Sequence, residues 1–377
     1  MQGHRVLLLP GLCLATLVAG ACAPKVRLAV APEVLSSEWR AGQPARTGRP
    51  VSAQSLATAL GSAELQRLVS RAFAANADIA AARARVAQAR AQLRVARAAM
   101  LPVVSGSAGL NATQTDNRGG STFDFSAGFA GLDVSWDTDL FGGGRAERRA
   151  SRSRLQAAIF DRDATALAVE SEVARAFVQH AVLGERIALL DRNLANAREL
   201  QRIIGVRLRE GAATRVETGL QAIEVRQFEA ERLRLVEAQS QTRNALSVLV
   251  GEEAPRFQAP RAALGALSPP SLDPVQPAEL LVRRPDIKAA EARIRAASGD
   301  VERARAAFLP SLRLTASALG QAAGLSGPYG ATLSAGASLL APIFSGGRLR
   351  GELAGATAAQ RETVELYRRT LLTALAE

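Results

Sequence analysis

The sequence predicts an α+β membrane protein made of two copies of one unit, a helix followed by a strand hairpin and a long helix. Three observations support this fold class: an internal repeat, four strands that alternate apolar with small polar residues, and a long proline-free helix with a heptad pattern. Four strands cannot close a barrel, and an open sheet edge is not viable in lipid, so the chain is expected to oligomerise. Two copies would give eight strands, and three would give twelve.

The composition excludes several classes of protein. The 377 residues carry a formal charge of +12, but Lys25 and Lys288 are the only lysines among 47 cationic residues. Arginine is interleaved with Glu and Ala throughout, which indicates compositional bias rather than a nucleic-acid surface, and aromatics at 4% are too sparse for base stacking. Two histidines and two cysteines cannot build a His/Cys metal site. We therefore expect no nucleic-acid partner, no metal, no cofactor and no enzyme activity.

The N-terminus, residues 1–21, is predicted to be an export signal. It has a positive start and an apolar run too short to span a bilayer. Ala19–Cys22 resembles the lipobox of bacterial lipoproteins, which implies that Cys22 becomes a lipid-carrying N-terminus of an extended segment, 22–51. Ala23 in place of Asp implies delivery to the outer membrane. The alternative is an ordinary secretory peptide with a chance cysteine.

The internal repeat sets the domain organisation. Asp78–Pro102 aligns with Asp286–Pro310 at an offset of 208 residues without gaps, with 13 identities in 25 positions. Gly143–Arg145 matches Gly346–Arg348 at an offset of 203. The linking stretch 252–285 holds seven of the 16 prolines and is predicted to be an extended crossover. The first repeat is then 52–251 and the second is 286–377.

The first repeat begins with a helical composition from Ser52 to Met100, which a Leu-Pro pair ends. Period-two alternation follows and predicts strands at 103–113 and 123–138. In the second of these strands the apolar residues change from odd-numbered to even-numbered positions. This change predicts a bulge near Ala130-Gly131.

The second repeat predicts strands at 311–320 and 330–341. Their length and their alternation are typical of transmembrane barrel strands, and aromatics near the hairpins suit interfacial belts. The edge of a soluble β-sandwich would show the same alternation, but the export signal favours the membrane.

A proline-free run at 145–208 predicts a helix about 90 Å long. It carries a strict seven-residue repeat, and a return helix at 215–250 would complete an αα-hairpin. His180 lies in the repeat and has no partner for catalysis in view, so we interpret it as a register residue. The repeat positions are Leu155, Ile159, Arg162, Ala166, Val169, Val173, Ala176, His180, Leu183, Ile187, Leu190, Leu194, Ala197, Gln201, Ile204 and Leu208.

Glycines stand where each hairpin meets the next long helix. They lack the Gly-Lys-Ser/Thr ending of a phosphate loop, so we interpret them as hinges between strand and helix. The candidate hinge residues are Gly142, Gly143, Gly144, Gly346 and Gly347.

These features resemble the TolC-like outer-membrane factor family, in particular its lipid-anchored multidrug-efflux (RND/NodT-type) branch. The resemblance rests on Arg284–Ile287 continuing to Pro310, and on the hairpin ends Asp139–Gly143 and Pro342–Arg348. It implies a homotrimer with a 12-stranded outer-membrane barrel and a periplasmic coiled-coil tunnel. Such a duct passively exports drugs and toxic compounds, and it works with a periplasmic adaptor and an inner-membrane pump. The implied location is the outer membrane, lipid-anchored and extending into the periplasm.

The family's helical-hairpin tip meets the adaptor through a pattern of Arg, three residues, Gly, two residues and Ser/Thr. Arg207, Gly211 and Thr214 occupy those positions. Gly211 would permit a tight turn that exposes backbone groups, although it can also serve only to end a helix.

A full second copy would end near residue 452, so the sequence predicts a C-terminally truncated second repeat that alone does not form a sealed duct. Two other functions stay open at this point. One is the outer-membrane component of type I secretion, and the other is a periplasmic coiled-coil scaffold without a channel.

Overall fold

The computed structural model describes residues 56–116, 122–260, 263–268, 283–323 and 329–377. Its elements follow the order helices, hairpin, helices, hairpin, helix. They are α1 (Leu56–Ala59), α2 (Ala63–Ala75), α3 (Ala77–Ala98), β1 (Val103–Asp116), β2 (Thr122–Thr138), α4 (Gly143–Arg209), α5 (Arg215–Leu249), a 3₁₀ turn (Leu264–Ala266), α6 (Pro285–Ala306), β3 (Ser311–Ala323), β4 (Tyr329–Leu340) and α7 (Arg348–Ala376).

The chain divides into two compact units. Among the described residues, the sheet unit comprises 96–150 and 297–365, and the helical unit comprises 56–95, 151–296 and 366–377. The sheet unit holds all four strands of one antiparallel sheet in the order β1-β2-β3-β4. β1 and β4 are therefore its two edges.

The sheet has two chemically distinct faces, because side chains alternate along each strand and the register aligns like with like. The apolar face carries Val104, Leu110, Leu132, Val134, Trp136, Leu312, Leu314, Ala316, Ala318, Leu333 and Leu339. The polar face carries Ser105, Ser107, Asp133, Ser135, Asp137, Arg313, Thr315, Ser317, Thr332, Ser334 and Ser338.

The bulge predicted near Ala130-Gly131 is absent, and that prediction was wrong. The pairing of β2 with β1 runs without interruption through Ala130↔Ala108 and Gly131↔Ser107, and its pairing with β3 is equally regular. Because the strand is regular, the change in the alternation of apolar residues places Phe129 on the polar face, where its ring lies over Gly109. A Cβ added at Gly109 would come within 2.6 Å of that ring. Leu319 lies over Gly131 in the same way, with a corresponding distance of 2.9 Å.

The first helical stretch, expected as one helix, is three helices. Gly61 adopts a positive φ of 69° between α1 and α2. Asn76 separates α2 from α3 because its side chain competes for helical hydrogen bonds: Oδ1 accepts from the amides of Asp78 and Ile79 at 2.9 and 3.1 Å. Its Nδ2 also donates to the Leu249 carbonyl at 2.9 Å. Composition alone did not reveal this break, because asparagine is only a mild helix breaker.

The core of the helical unit lies where α2 and α3 pack on α4 and α5. Its fully buried side chains include Leu65, Leu68, Val173, Phe177 and Leu246. Every position of the predicted heptad repeat in α4 is buried or half-buried. Within the described ranges, no helix combines the length and the apolar composition needed to cross a membrane.

The Arg-Pro-Asp-Ile motif forms the start of α6. Pro285 is its first helical residue, and Ile287 is fully buried. Arg284 holds Asp286 with two hydrogen bonds, Nε–Oδ1 at 3.1 Å and Nη2–Oδ2 at 2.8 Å. Partial burial acts to raise the pKa of Asp286, but the hydrogen bonds and charge of Arg284 outweigh it and lower that pKa below its usual value.

Candidate functional site

The helical-hairpin tip is the turn between α4 and α5. α4 ends in a Schellman arrangement: the Ala212 amide donates to the Arg207 carbonyl at 2.7 Å, and the Gly211 amide donates to the Leu208 carbonyl at 3.1 Å. Gly211 has a φ of 73°, a left-handed conformation that glycine adopts without steric cost. The turn predicted at Gly211 is therefore present.

Thr214 begins α5 with a capping box. Its Oγ1 accepts from the Glu217 amide at 3.2 Å, and Glu217 Oε2 accepts from the Thr214 amide at 2.6 Å. These hydrogen bonds from the Thr214 amide and hydroxyl lower the pKa of Glu217, so the carboxylate is ionised at neutral pH. Glu217 was missed in the sequence analysis, although the spacing Thr-x-x-Glu was a readable signal for it.

Arg207, Gly211 and Thr214 lie together at this tip. Arg207 Nη2 donates to the Ala212 carbonyl at 3.2 Å, which fixes the guanidinium across the turn. Gly211 is exposed, and a Cβ added there would meet no atom within 4 Å. Val216 is 70% exposed and Leu220 is 63% exposed just beyond it. The tip thus presents a rigid backbone turn, one arginine and an apolar strip, a surface suited to binding a protein.

The carboxylate of Asp139 stabilises the connection between β2 and α4. Asp139 accepts from the amides of Gly144 (3.0 Å) and Arg145 (2.8 Å) at the helix N-terminus, where the helix dipole favours an anion. Gly142 has a φ of 83°, while Gly143 and Gly144 are the first two residues of α4. Asp139 was not predicted as a functional residue, although an acidic residue just before a helix start is a usable signal.

The joint between β4 and α7 is built differently. At the offset of 203, Pro342 stands in place of Asp139, so this helix start lacks the equivalent of the Asp139 carboxylate. Gly346 and Gly347 both have positive φ, 58° and 87°, and a Cβ added to either would meet nothing within 4 Å. Gly142, Gly346 and Gly347 therefore lie between strand and helix, whereas Gly143 and Gly144 belong to the first turn of α4. The role of all five as hinges stays a prediction.

The polar sheet face is a hydroxyl-rich surface with few charges. Arg313 and Asp137 form a two-pronged ion pair on it, with Nε–Oδ1 at 2.6 Å and Nη2–Oδ2 at 2.9 Å. Ser317 and Ser334 share a hydrogen bond of 2.7 Å between their hydroxyls. Such a surface is easily wetted.

No group of three or more His, Cys, Asp or Glu side chains in the described ranges could hold a metal ion. His180 is half-buried on α4, and burial together with the nearby charge of Arg243 lowers its pKa, so it is neutral at pH 7. Cys22, the predicted lipid anchor, lies outside the described residues.

A two-faced antiparallel sheet in one chain with a long helical hairpin is typical of a class of protein, the outer-membrane channels with a helical tunnel. The family model described as outer membrane efflux protein matches residues 68–252 and 277–377. The chain belongs to this TolC-like outer membrane efflux protein family.

Two relatives illustrate the match. The chain is 34% identical over 338 residues to the pyoverdine export outer membrane protein OpmQ of Pseudomonas aeruginosa, covering 85% of this chain and 69% of that protein. It is 32% identical over 382 residues to outer membrane protein OprJ of the same organism, covering 97% of this chain and 78% of the relative.

Two solved structures have the same fold as this chain. A membrane protein from Pseudomonas aeruginosa has a TM-score of 0.79 at 30% identity, over 90% of this chain and 81% of that one. The outer-membrane channel OprN has a TM-score of 0.81 over 92% and 79% of the two chains, and at 24% identity it shows the fold alone. The predicted fold class is thereby confirmed: four strands per chain contribute to a trimeric 12-stranded barrel, and the helices contribute to a coiled-coil tunnel.

Proposed function

We propose that this chain forms the outer-membrane duct of a tripartite efflux system and passively exports small molecules. The observation that carries the proposal is the sheet, whose largely apolar face suits lipid and whose hydroxyl-rich opposite face suits a water-filled lumen. Family membership supports an efflux channel in the outer membrane. An aqueous wall of this kind supplies a route for cargo, while the energy comes from the pump.

Small-molecule cargo is supported by the names of relatives. They include a pyoverdine exporter and a solvent efflux pump outer membrane protein of Pseudomonas putida, to which the chain is 28% identical over 379 residues. The test is complementation in a Gram-negative host that lacks its own outer-membrane factor and carries a matching adaptor and pump. Restored drug resistance and reduced dye accumulation would support the proposal, and they would overturn the expectation that residues 1–377 alone do not form a sealed duct. A correctly localised trimer that restores neither would overturn the proposal.

The tip formed by Arg207, Gly211 and Thr214 is the proposed adaptor contact. Its exposed turn and its apolar strip support this assignment. Gly211→Trp is expected to reduce adaptor crosslinking strongly, because the indole would fill the open space above the turn.

The matched control is Leu233→Trp, at a residue of α5 that is 67% exposed and 22 positions beyond Gly211. It should leave crosslinking unchanged. Trimer level on semi-native gels verifies assembly of both variants, and undiminished crosslinking of an assembled Gly211→Trp trimer would rule out the contact.

Cys22 is the proposed lipid anchor, supported by the small residues that precede it. Cys22→Ala should abolish incorporation of radiolabelled palmitate, because the only candidate acceptor thiol next to the cleavage site is removed. Cys13→Ala, within the predicted signal, serves as the control and should retain the label. Equal labelling of both variants would exclude Cys22.

A further inference from the structure

Large apolar residues lie at one end of the sheet, where the strands join the helices. Each of the four strands has one within four positions of its end: Leu101 before β1, Phe141 after β2, Phe308 before β3 and Phe344 after β4. These four residues are between 39% and 90% exposed. Trp136 lies near the same end of β2 and is also exposed. Exposed aromatic residues in such a row are typical of the boundary between hydrocarbon and lipid head groups.

Arginines lie just beyond these apolar residues. One follows each of the four, three or four positions further along the chain from the sheet: Arg97, Arg145, Arg305 and Arg348. Eight arginines, no lysine and five acidic residues occupy the four segments that flank the sheet here, 96–102, 139–150, 297–310 and 341–352. This end of the sheet unit therefore carries a net positive charge. We name six of its exposed arginines the arginine collar: Arg97, Arg145, Arg148, Arg149, Arg348 and Arg350.

Helix stability does not explain the collar arginines of α4 and α7. Neither helix has an acidic residue in its first turn, although the positive end of the helix dipole favours acidic side chains there and disfavours basic ones. Arg145, Arg148 and Arg149 also share one face of α4, at spacings of three and four residues where like charges repel. The amides at the start of α4 already have an acceptor in Asp139. These arginines therefore oppose helix formation electrostatically, and a bound anion would offset that effect.

Ion pairs within the chain neutralise only part of the collar. Three of its arginines contact a carboxylate, in the pairs Arg145–Asp139, Arg149–Glu302 and Arg348–Glu352. The side chains of these three arginines are still more than half exposed, and ion pairs at exposed sites are weak. Arg97, Arg148 and Arg350 are exposed and form no ion pair among the residues that the structure describes.

We propose that the arginine collar binds the phosphate groups of anionic phospholipids in the membrane leaflet next to the helices. A guanidinium matches a phosphate with two parallel hydrogen bonds, and the neighbouring apolar side chains would contact the glycerol and acyl parts of the same lipid. Cationic residues beside a membrane surface attract anionic lipid over about 10 Å at 0.1 M salt. Arginines next to a row of apolar residues therefore complement this class of lipid in both charge and polarity. The proposal requires only that the sheet lies in the membrane, whatever the channel exports.

Lipid binding to the full chain, purified in detergent, tests the collar. In native mass spectrometry, the protein should retain about tenfold more phosphatidylglycerol than phosphatidylcholine from an equimolar mixture with the same acyl chains, because only phosphatidylglycerol carries a net charge. In the collar variant Arg148→Gln/Arg350→Gln this preference should fall to about twofold.

The matched control is Arg186→Gln/Arg192→Gln, which removes two exposed arginines of the helical unit. It should keep the wild-type preference, although its change in net charge is the same. Equal retention of the two lipids by the wild-type chain, or an equal loss of preference in both double variants, would overturn the proposal.

Thermal unfolding separates lipid binding from folding. Without added lipid, the collar variant should unfold at the wild-type midpoint or above it, because it removes arginines from near two helix starts. Added phosphatidylglycerol should raise the midpoint of the wild type and of the control far more than that of the collar variant, because a ligand that binds the folded state stabilises it. An equal rise in all three proteins would contradict the proposal. A retained lipid preference in a chain that fails complementation would count against the proposed function and leave the collar intact.

Discussion

Phe177→Ala is expected to lower the free energy of unfolding of the helical unit by about 3–5 kcal/mol. Phe177 is 1% exposed and packs among Leu65, Leu68 and Leu246, so its removal leaves a cavity that helices from three parts of the sequence would have to fill. The measurement is the thermal midpoint of the helical circular dichroism of purified protein in detergent, with an expected fall of about 10 °C.

The control is Leu189→Ala on the same helix, at a residue that is 52% exposed. It removes a similar amount of apolar side chain from the surface, where substitutions change stability by about 0.5 kcal/mol or less. A Phe177→Ala midpoint that matches the control would show that this core contributes little to stability.

Gly251→Ala is the second substitution with a large expected effect. The single added methyl group should lower the free energy of unfolding by about 3 kcal/mol. Gly251 has a φ of 72°, which is strained for alanine, and an added Cβ would lie 2.4 Å from the Ala75 carbonyl oxygen. That oxygen belongs to the end of α2, which Asn76 ties to the end of α5 through the Leu249 carbonyl. The backbone at Ala75 therefore cannot shift to relieve the contact.

Gly211→Ala provides a matched control, because Gly211 has nearly the same φ, 73°, with nothing within 4 Å of an added Cβ. It should show only the conformational cost, about 1–2 kcal/mol. The difference between the two thermal midpoints isolates the steric clash at Ala75. Equal shifts for the two variants would show that close packing at Gly251 does not matter.

The sequence predicted those parts of the fold that follow from periodicity. Period-two alternation located all four strands, since burial of one face forces that spacing. The heptad positions of α4 are all buried or half-buried, but fully buried Phe177 lies outside the repeat, because α4 also packs on α2. The prediction of a bulge at Ala130-Gly131 was wrong because it assumed that the apolar residues of β2 all lie on one face of the sheet. The chain instead places Phe129 on the polar face and accommodates it with Gly109, a cross-strand relation that one strand alone does not reveal.

The candidate site was predicted only in part. The turn at Gly211 was readable because a positive φ favours glycine, but the contacts of Arg207 with the Ala212 carbonyl and of Asp139 with the α4 amides depend on three-dimensional geometry. The break at Asn76 was missed for a different reason: asparagine is only a mild helix breaker, and composition does not show that its side chain accepts from the Asp78 and Ile79 amides.

The glycines under Phe129 and Leu319 have a consequence for a molecule in transit. The side chains of Phe129 and Leu319 lie flat against the sheet. They therefore project from the middle of the polar face little further than the serine side chains do. In the proposed duct, these two apolar side chains would lie along a wall of hydroxyl groups. They would narrow the bore less than upright side chains of the same size.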